Sequence, residues 1–127
     1  MPMRLAVLAA ACLSLAASPM AAAAGDDGFA AFWRGFAAAV AKDDQAALAT
    51  MVVLGPGLDD NDQPLTFAKF HTADLKASAR RCLAKAHPRA DVDGTGATTY
   101  SAFCGNVIYV FSKTGGGWKL TDLSPDD

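Results

Sequence analysis

The chain has 127 residues, with 13 acidic against 11 basic side chains and a formal net charge of −2 at pH 7. That length favours one domain, and the mild acidity argues against nucleic acid, which would need a basic stripe. The aromatic residues, 7 Phe, 2 Trp and 2 Tyr, all lie beyond residue 28, so the core must be built there.

Residues 1–24 read as a secretory signal peptide. Arg4 closes a short positive start. Residues 5–17 (LAVLAAACLSLAA) are apolar but too short to span a bilayer comfortably. Ser18 and Pro19 break the run, and Ala22-Ala23-Ala24 offers an A-x-A cleavage site before Gly25. Cleavage there leaves residues 25–127 as one periplasmic or secreted domain, with no membrane span. Lipoprotein processing at Cys12 is the alternative, although Ala9-Ala10-Ala11-Cys12 is a poor lipobox.

Cys82 and Cys104 are the cysteines left after cleavage. An even count in a small exported domain favours a disulfide over two buried thiols. Closing a loop of about 23 residues stabilises a fold by roughly 3 kcal/mol in the chain-entropy model.

The mature chain opens with a helix. Asp26 or Asp27 can cap it, because a short carboxylate accepts free backbone N–H groups. Phe29, Phe32, Trp33, Phe36 and Val40 then follow at helical spacing, which puts four rings on one face. Such a stripe forms core or lines a cavity. Asp43-Asp44 caps a second helix over residues 45–51. Residues 52–54 read as extended, since Gly55-Pro56-Gly57 cannot continue a helix. If residues 64–66 are also a strand, the polar loop 58–64 joins a hairpin. Thr66 caps a brief helical turn over 67–71, and Thr72 or Asp74 a longer helix to Ala86. Leu75, Ala79, Cys82, Leu83 and Ala86 share that helix's face, which directs Cys82 inward. Basic residues near its end suit the helix dipole, and His87-Pro88 stops it. The basic run in this helix reads as a solvated face, with an anionic partner as the alternative.

Asp91, Asp93, Gly94 and Gly96 form a turn. Three antiparallel strands follow, at about 97–103, 107–112 and 118–123, with a glycine-rich loop at 113–117. In the middle strand both faces are apolar. That pattern fits a strand covered on two sides, or one with a face lining a pocket.

No catalytic constellation has a specific signature. His71 and His87 lack zinc-ligand spacing. The acidic loops lack the ligand order of a calcium site. Thr114-Gly115-Gly116-Gly117 joins strand to strand, unlike a phosphate loop. Ser101 lies in a strand, without a nucleophile elbow around it. His71 with Asp74 is a possible acid–base pair one helical turn apart, with capping and solvation as the blander account. No metal or cofactor is expected.

The order of elements, with FWRGFAAAVAKDDQAAL at the start and Gly117-Trp118-Lys119-Leu120 in the closing strand, resembles small exported bacterial proteins of the NTF2-like (SnoaL-like, cystatin-type α+β) superfamily. The resemblance implies an α+β fold: N-terminal helices on a curved antiparallel sheet of about three to five strands. It also implies a cone-shaped cavity between the first helix and the sheet. Phe32, Trp33, Phe36, Tyr100, Tyr109 and Trp118 are the candidate ligand-binding residues there, the tyrosines and tryptophans joining apolar area to a hydrogen-bond donor. The expected function is a non-enzymatic domain binding a small apolar ligand or a protein partner. An isomerase- or dehydratase-type enzyme, with His71 or a strand-borne Asp as base, is one alternative. An exported inhibitor or immunity-type protein acting through its surface is another. The family's habit of pairing through the open sheet face implies a possible homodimer.

Overall fold

The computed structural model describes residues 27–54 and 65–125. The leader, Cys12, Asp26 and the loop 58–64 lie outside them. The helices come first: α1 (Phe29–Lys42), α2 (Gln45–Met51), α3 (Phe67–Asp74) and α4 (Ala77–Lys85). The strands follow: β1 (Arg89–Val92), β2 (Thr98–Cys104), β3 (Val107–Thr114) and β4 (Gly117–Pro125). All pair antiparallel in the order β1-β2-β3-β4. The fold class is α+β, with helices packed on one face of an open sheet.

Helix α1 begins where Gly28 adopts φ 87° and the Asp27 carboxylate accepts the Phe29 N–H at 3.1 Å. Alanines carry the helix on, and its ring stripe turns to the sheet. It ends at Asp43, a left-handed residue at φ 52°. The N–H groups of Asp43 and Asp44 return to the carbonyls of Val40 and Ala39, closing the last turn. Asp44 then caps α2 by accepting the Ala47 N–H at 3.1 Å.

Beyond α2 the chain is extended, as its sequence suggests, but with a different partner. Val52 bridges Leu120 in parallel, and the Val53 N–H reaches the Leu120 carbonyl at 2.8 Å. The free edge of β4 offers unpaired backbone groups, and this segment takes some of them. Leu65 and Thr66 are not in a strand, and Thr66 caps α3 through the Lys69 N–H at 3.2 Å.

Two expectations for the α3–α4 region need correcting. The helical turn at 67–71 extends to Asp74, and the longer helix starts only at Ala77. The break falls at Leu75, which is fully buried, and Arg80 Nη1 donates to the Leu75 carbonyl at 2.6 Å. A side chain thus takes an acceptor that a continuous helix would have used. Cys82 is exposed rather than inward, and its neighbour Leu83 fills the core. From the helix margin Cys82 still reaches Cys104, with the Cα atoms 5.8 Å apart and the disulfide formed.

Strand β1 takes in Asp91, the first of the residues that suggest a turn. Its four residues, RADV, alternate charged with apolar but are all exposed, so no buried face marks the strand. The turn itself forms where expected, at residues 93–96. Asp93 Oδ1 accepts from Thr95 N, Thr95 Oγ1 and Ala97 N at 2.6–3.0 Å, and that turn delivers β1 onto β2. The hairpin between β3 and β4 is tighter than the loop read from the sequence. Gly115 and Gly116 alone separate the strands, and Gly117 takes φ 99°.

Register sorts the strand side chains. Ala102, Tyr109 and Leu123 form one cross-strand row, and Tyr100, Phe111 and Leu120 form another. Together with Trp118 these rows make the inner face. There Phe111 meets Phe29, Phe32, Trp33 and Phe36 of α1 at centroid distances of 5.1–5.9 Å, mostly edge to face. Phe36, Leu48, Phe70, Leu75, Leu83, Phe111 and Leu120 are fully buried around this seam.

Phe111→Ala removes the ring common to these contacts and is expected to cost about 3–5 kcal/mol in urea unfolding, whereas Arg34→Ala on the exposed side of α1 stays within about 0.5 kcal/mol. Reducing the disulfide is expected to lower stability by roughly 3 kcal/mol in the same assay, and a C82A/C104A double variant should match the reduced protein.

Candidate functional site

The residues expected to line a cavity divide by depth. Phe36, Tyr109 and Trp118 are buried, whereas Phe32, Trp33 and Tyr100 are half-buried. Their rings meet one another. Phe29 lies flat on Tyr100 at 3.7 Å and meets Trp118 edge-on at 5.2 Å, and Trp33 stacks on Phe36 at 5.5 Å. Their polar atoms also have partners within the fold. Trp118 Nε1 donates to the Asp27 carbonyl at 2.9 Å, and the Tyr109 hydroxyl to the Asp74 carbonyl at 2.5 Å. The Tyr100 hydroxyl faces Asp27 Oδ2 at 3.5 Å. Burial, aided by the Asp74 charge, pushes the Tyr109 phenol up to about 12.

Three open concavities of about 400–460 Å³ are formed by described residues. Tyr109 borders the one beside the disulfide, and Trp118 borders one at the β1–β2 turn. Phe32, Trp33, Phe36 and Tyr100 border none of these three.

The outer face of the sheet has a different character. Among the described residues no helix covers it. Phe103, 46% exposed, pairs with Ile108, and Val110 follows on the same face of β3, all three forming a short apolar strip. Polar side chains surround the strip. Ser101 and Asp122 flank Val110, and Ser124 flanks Ile108. Nearby, the Thr121 hydroxyl bonds the Ser112 hydroxyl at 2.8 Å. A wet rim around a dry centre is the usual anatomy of a docking surface. Its sequence signal is the middle strand, whose two faces are both apolar although helices cover only one.

His71 pairs across the chain rather than along it. Its Nε2 lies 2.7 Å from Asp43 Oδ1, and Arg80 Nε stands 3.7 Å from the same oxygen. Asp74, the partner suggested by helical spacing, instead offers its carbonyl to Tyr109. The His71 hydrogen bond, aided by the Arg80 charge, holds the Asp43 carboxyl below its usual range. Left-handed backbone ordinarily favours glycine at a helix end. Asp43 tolerates it at roughly 1 kcal/mol, and its carboxylate ties the α1–α2 corner to α3 and α4. Among the described residues no charged side chain is buried, and no three His, Cys, Asp or Glu side chains converge as metal ligands.

Comparison with protein-family models, with curated proteins and with solved structures gives no match.

Because Asp43 has a depressed folded pKa, its contribution to stability is complete above the unfolded carboxylate value and is lost as pH falls through the folded one. Asp43→Asn is therefore expected to flatten the loss of stability as pH falls below the unfolded carboxylate value of about 4, read by urea unfolding at each pH. Part of the slope persists, because hydrogen bonds from Thr95 depress the Asp93 carboxyl in the same direction. Asp43→Gly should be more stable than Asp43→Ala by roughly 1 kcal/mol, since both lose the carboxylate and glycine alone relieves the backbone.

Proposed function

We propose that this chain is an exported, non-enzymatic binding domain of NTF2-like type that engages a protein partner through the outer face of its sheet. The observation that carries this reading is the Phe103–Ile108–Val110 strip, an apolar centre inside a polar rim on a face that no described helix covers. The arrangement of α1 supports it from the other side. Its ring stripe packs against Phe111, Tyr100 and Trp118, so the rings that would greet a small apolar ligand already touch each other. The absence of any buried charge among the described residues weighs against the enzyme alternative, which needs a base within the fold. Export is supported by the leader-like residues 1–24 and by the Cys82–Cys104 disulfide, a bond that persists in oxidising compartments. No described helix is long and apolar enough to cross a membrane.

The test places a photo-crosslinking amino acid at Phe103, at Val110 and, as a control, at the exposed Ala46 of α2, in the chain expressed with its own leader. Positions 103 and 110 are expected to give a discrete protein adduct and position 46 none. An adduct of twice the chain's mass makes the partner a second copy. Heating with a panel of lipophilic compounds is expected to leave Tm unchanged, because a ligand that binds only the folded state must raise it. A rise in Tm with no adduct at 103 or 110 would overturn the proposal in favour of an interior ligand.

A further inference from the structure

The last turn of α1 and the length of α4 run side by side and leave a shallow groove of about 400 Å³ between them. Small side chains open it: Ala41 on one wall, Ala77 and Ala84 on the other, with Val40 beneath. Its charged lining is Lys42, Asp43, Arg80, Arg81 and Lys85. That is a concentration of positive charge on a chain whose net charge is −2.

The acid in this lining is already taken. Asp43 accepts His71 at 2.7 Å and faces Arg80 at 3.7 Å. Arg80 is itself tethered, with Nη1 on the Leu75 carbonyl. The remaining cations, Lys42, Arg81 and Lys85, have no ion-pair partner among the described residues. Lys42 and Lys85 stand in the last turns of their helices, where the dipole favours a cation. Arg81 lies further from the helix end and gains less from it. It stands four residues from Lys85 on α4, a spacing at which like charges repel. Three cations thus face a groove with an apolar floor, and the acid beside them, Asp43, is engaged by His71 and Arg80.

We propose that this groove binds an oxyanion, phosphate or carboxylate, carried on a short aliphatic body. Arg81 and Lys85 hold the oxyanion from one wall and Lys42 from the other, arginine by the fork that matches a planar or tetrahedral oxyanion. The aliphatic part lies along Val40, Ala77 and Ala84. Arg80 positions the site without supplying its charge, because its guanidinium is held by Leu75 and Asp43. This site lies on the helix layer, away from the sheet face proposed for a protein partner, and stands independently of it.

The experiment titrates the disulfide-bonded chain, followed by amide NMR at low salt, with octyl phosphate, octanoate, inorganic phosphate and the neutral detergent octyl glucoside, each below micelle formation. For a shallow site and a ligand of this size, Kd is expected on the order of 1 mM. Octyl phosphate and octanoate should both shift the amides of Arg81, Ala84 and Lys85 saturably. Inorganic phosphate should bind more weakly at the same residues, and octyl glucoside should leave them unmoved. Added salt should weaken binding. An R81E/K85E variant should lose affinity by about tenfold or more, as expected for the loss of charge-assisted hydrogen bonds, while a K113E/K119E variant, changed on the sheet, should bind as before. Circular dichroism establishes that both variants fold. Should the neutral probe bind as tightly as the anions, or R81E/K85E bind unchanged, or no anion give a saturable shift, the proposal fails. Binding of inorganic phosphate as tight as octyl phosphate would remove the aliphatic part of the proposal.

Discussion

The ring of Phe111 is the point on which the rest of the molecule turns. It stands at the centre of the sheet's inner face and receives Phe29, Phe32, Trp33 and Phe36 from α1. Large rings bring the most apolar area per residue, and edge-to-face contact adds to the burial. This one seam fixes where α1 lies and which way it faces. The other ties follow from that placement. Trp118 reaches the Asp27 carbonyl at the start of α1, and α4 packs beside α1 and is fastened to β2 by the disulfide. At the far end of α1, the carboxylate of Asp43 gathers His71 and Arg80. A helix that slid along the sheet would have to break several of these at once.

Much of this was legible in the sequence, for identifiable reasons. Helical spacing of rings marked α1, and short polar side chains marked the caps at Asp44 and Thr66. Both are local signals. The even cysteine count pointed to the Cys82–Cys104 bridge, and the glycines marked the hairpin between β3 and β4. Other features depend on partners distant in sequence and left no local trace. Strand β1 is an edge strand exposed on both faces, so RADV pairs with β2 without burying an apolar face. Val52 and Leu120 are 68 residues apart, and only the folded sheet brings them together. The break at Leu75 depends on an Arg80 side chain that competes for a backbone carbonyl.

The candidate site was less legible than the fold. The six aromatic positions are marked by their rings, and rings serve equally as core or as cavity lining. Their spacing does not distinguish the two roles, and in the fold the rings touch one another. The ring stripe is engaged with the sheet, and the hydrogen-bonding atoms of Tyr109 and Trp118 meet backbone carbonyls. The outer strip at Phe103, Ile108 and Val110 had a weak signal, an apolar alternation on both faces of the middle strand. The pairing of His71 with Asp43 had none, since 28 residues separate them. This division explains the functional reading. Ring packing stabilises the interior, and the two surfaces proposed for recognition lie outside it. One is an apolar strip on the sheet, and the other a basic groove between helices.

Native-state hydrogen exchange tests the central claim most directly. If the seam between α1 and Phe111 is the core of the fold, the slowest amides of α1, around Phe36 and Val40, and those of β3, around Tyr109 and Phe111, exchange only through global unfolding, with one shared free energy. Exchange of the α1 amides through a separate, lower-energy opening, while β3 stays protected, would contradict the account.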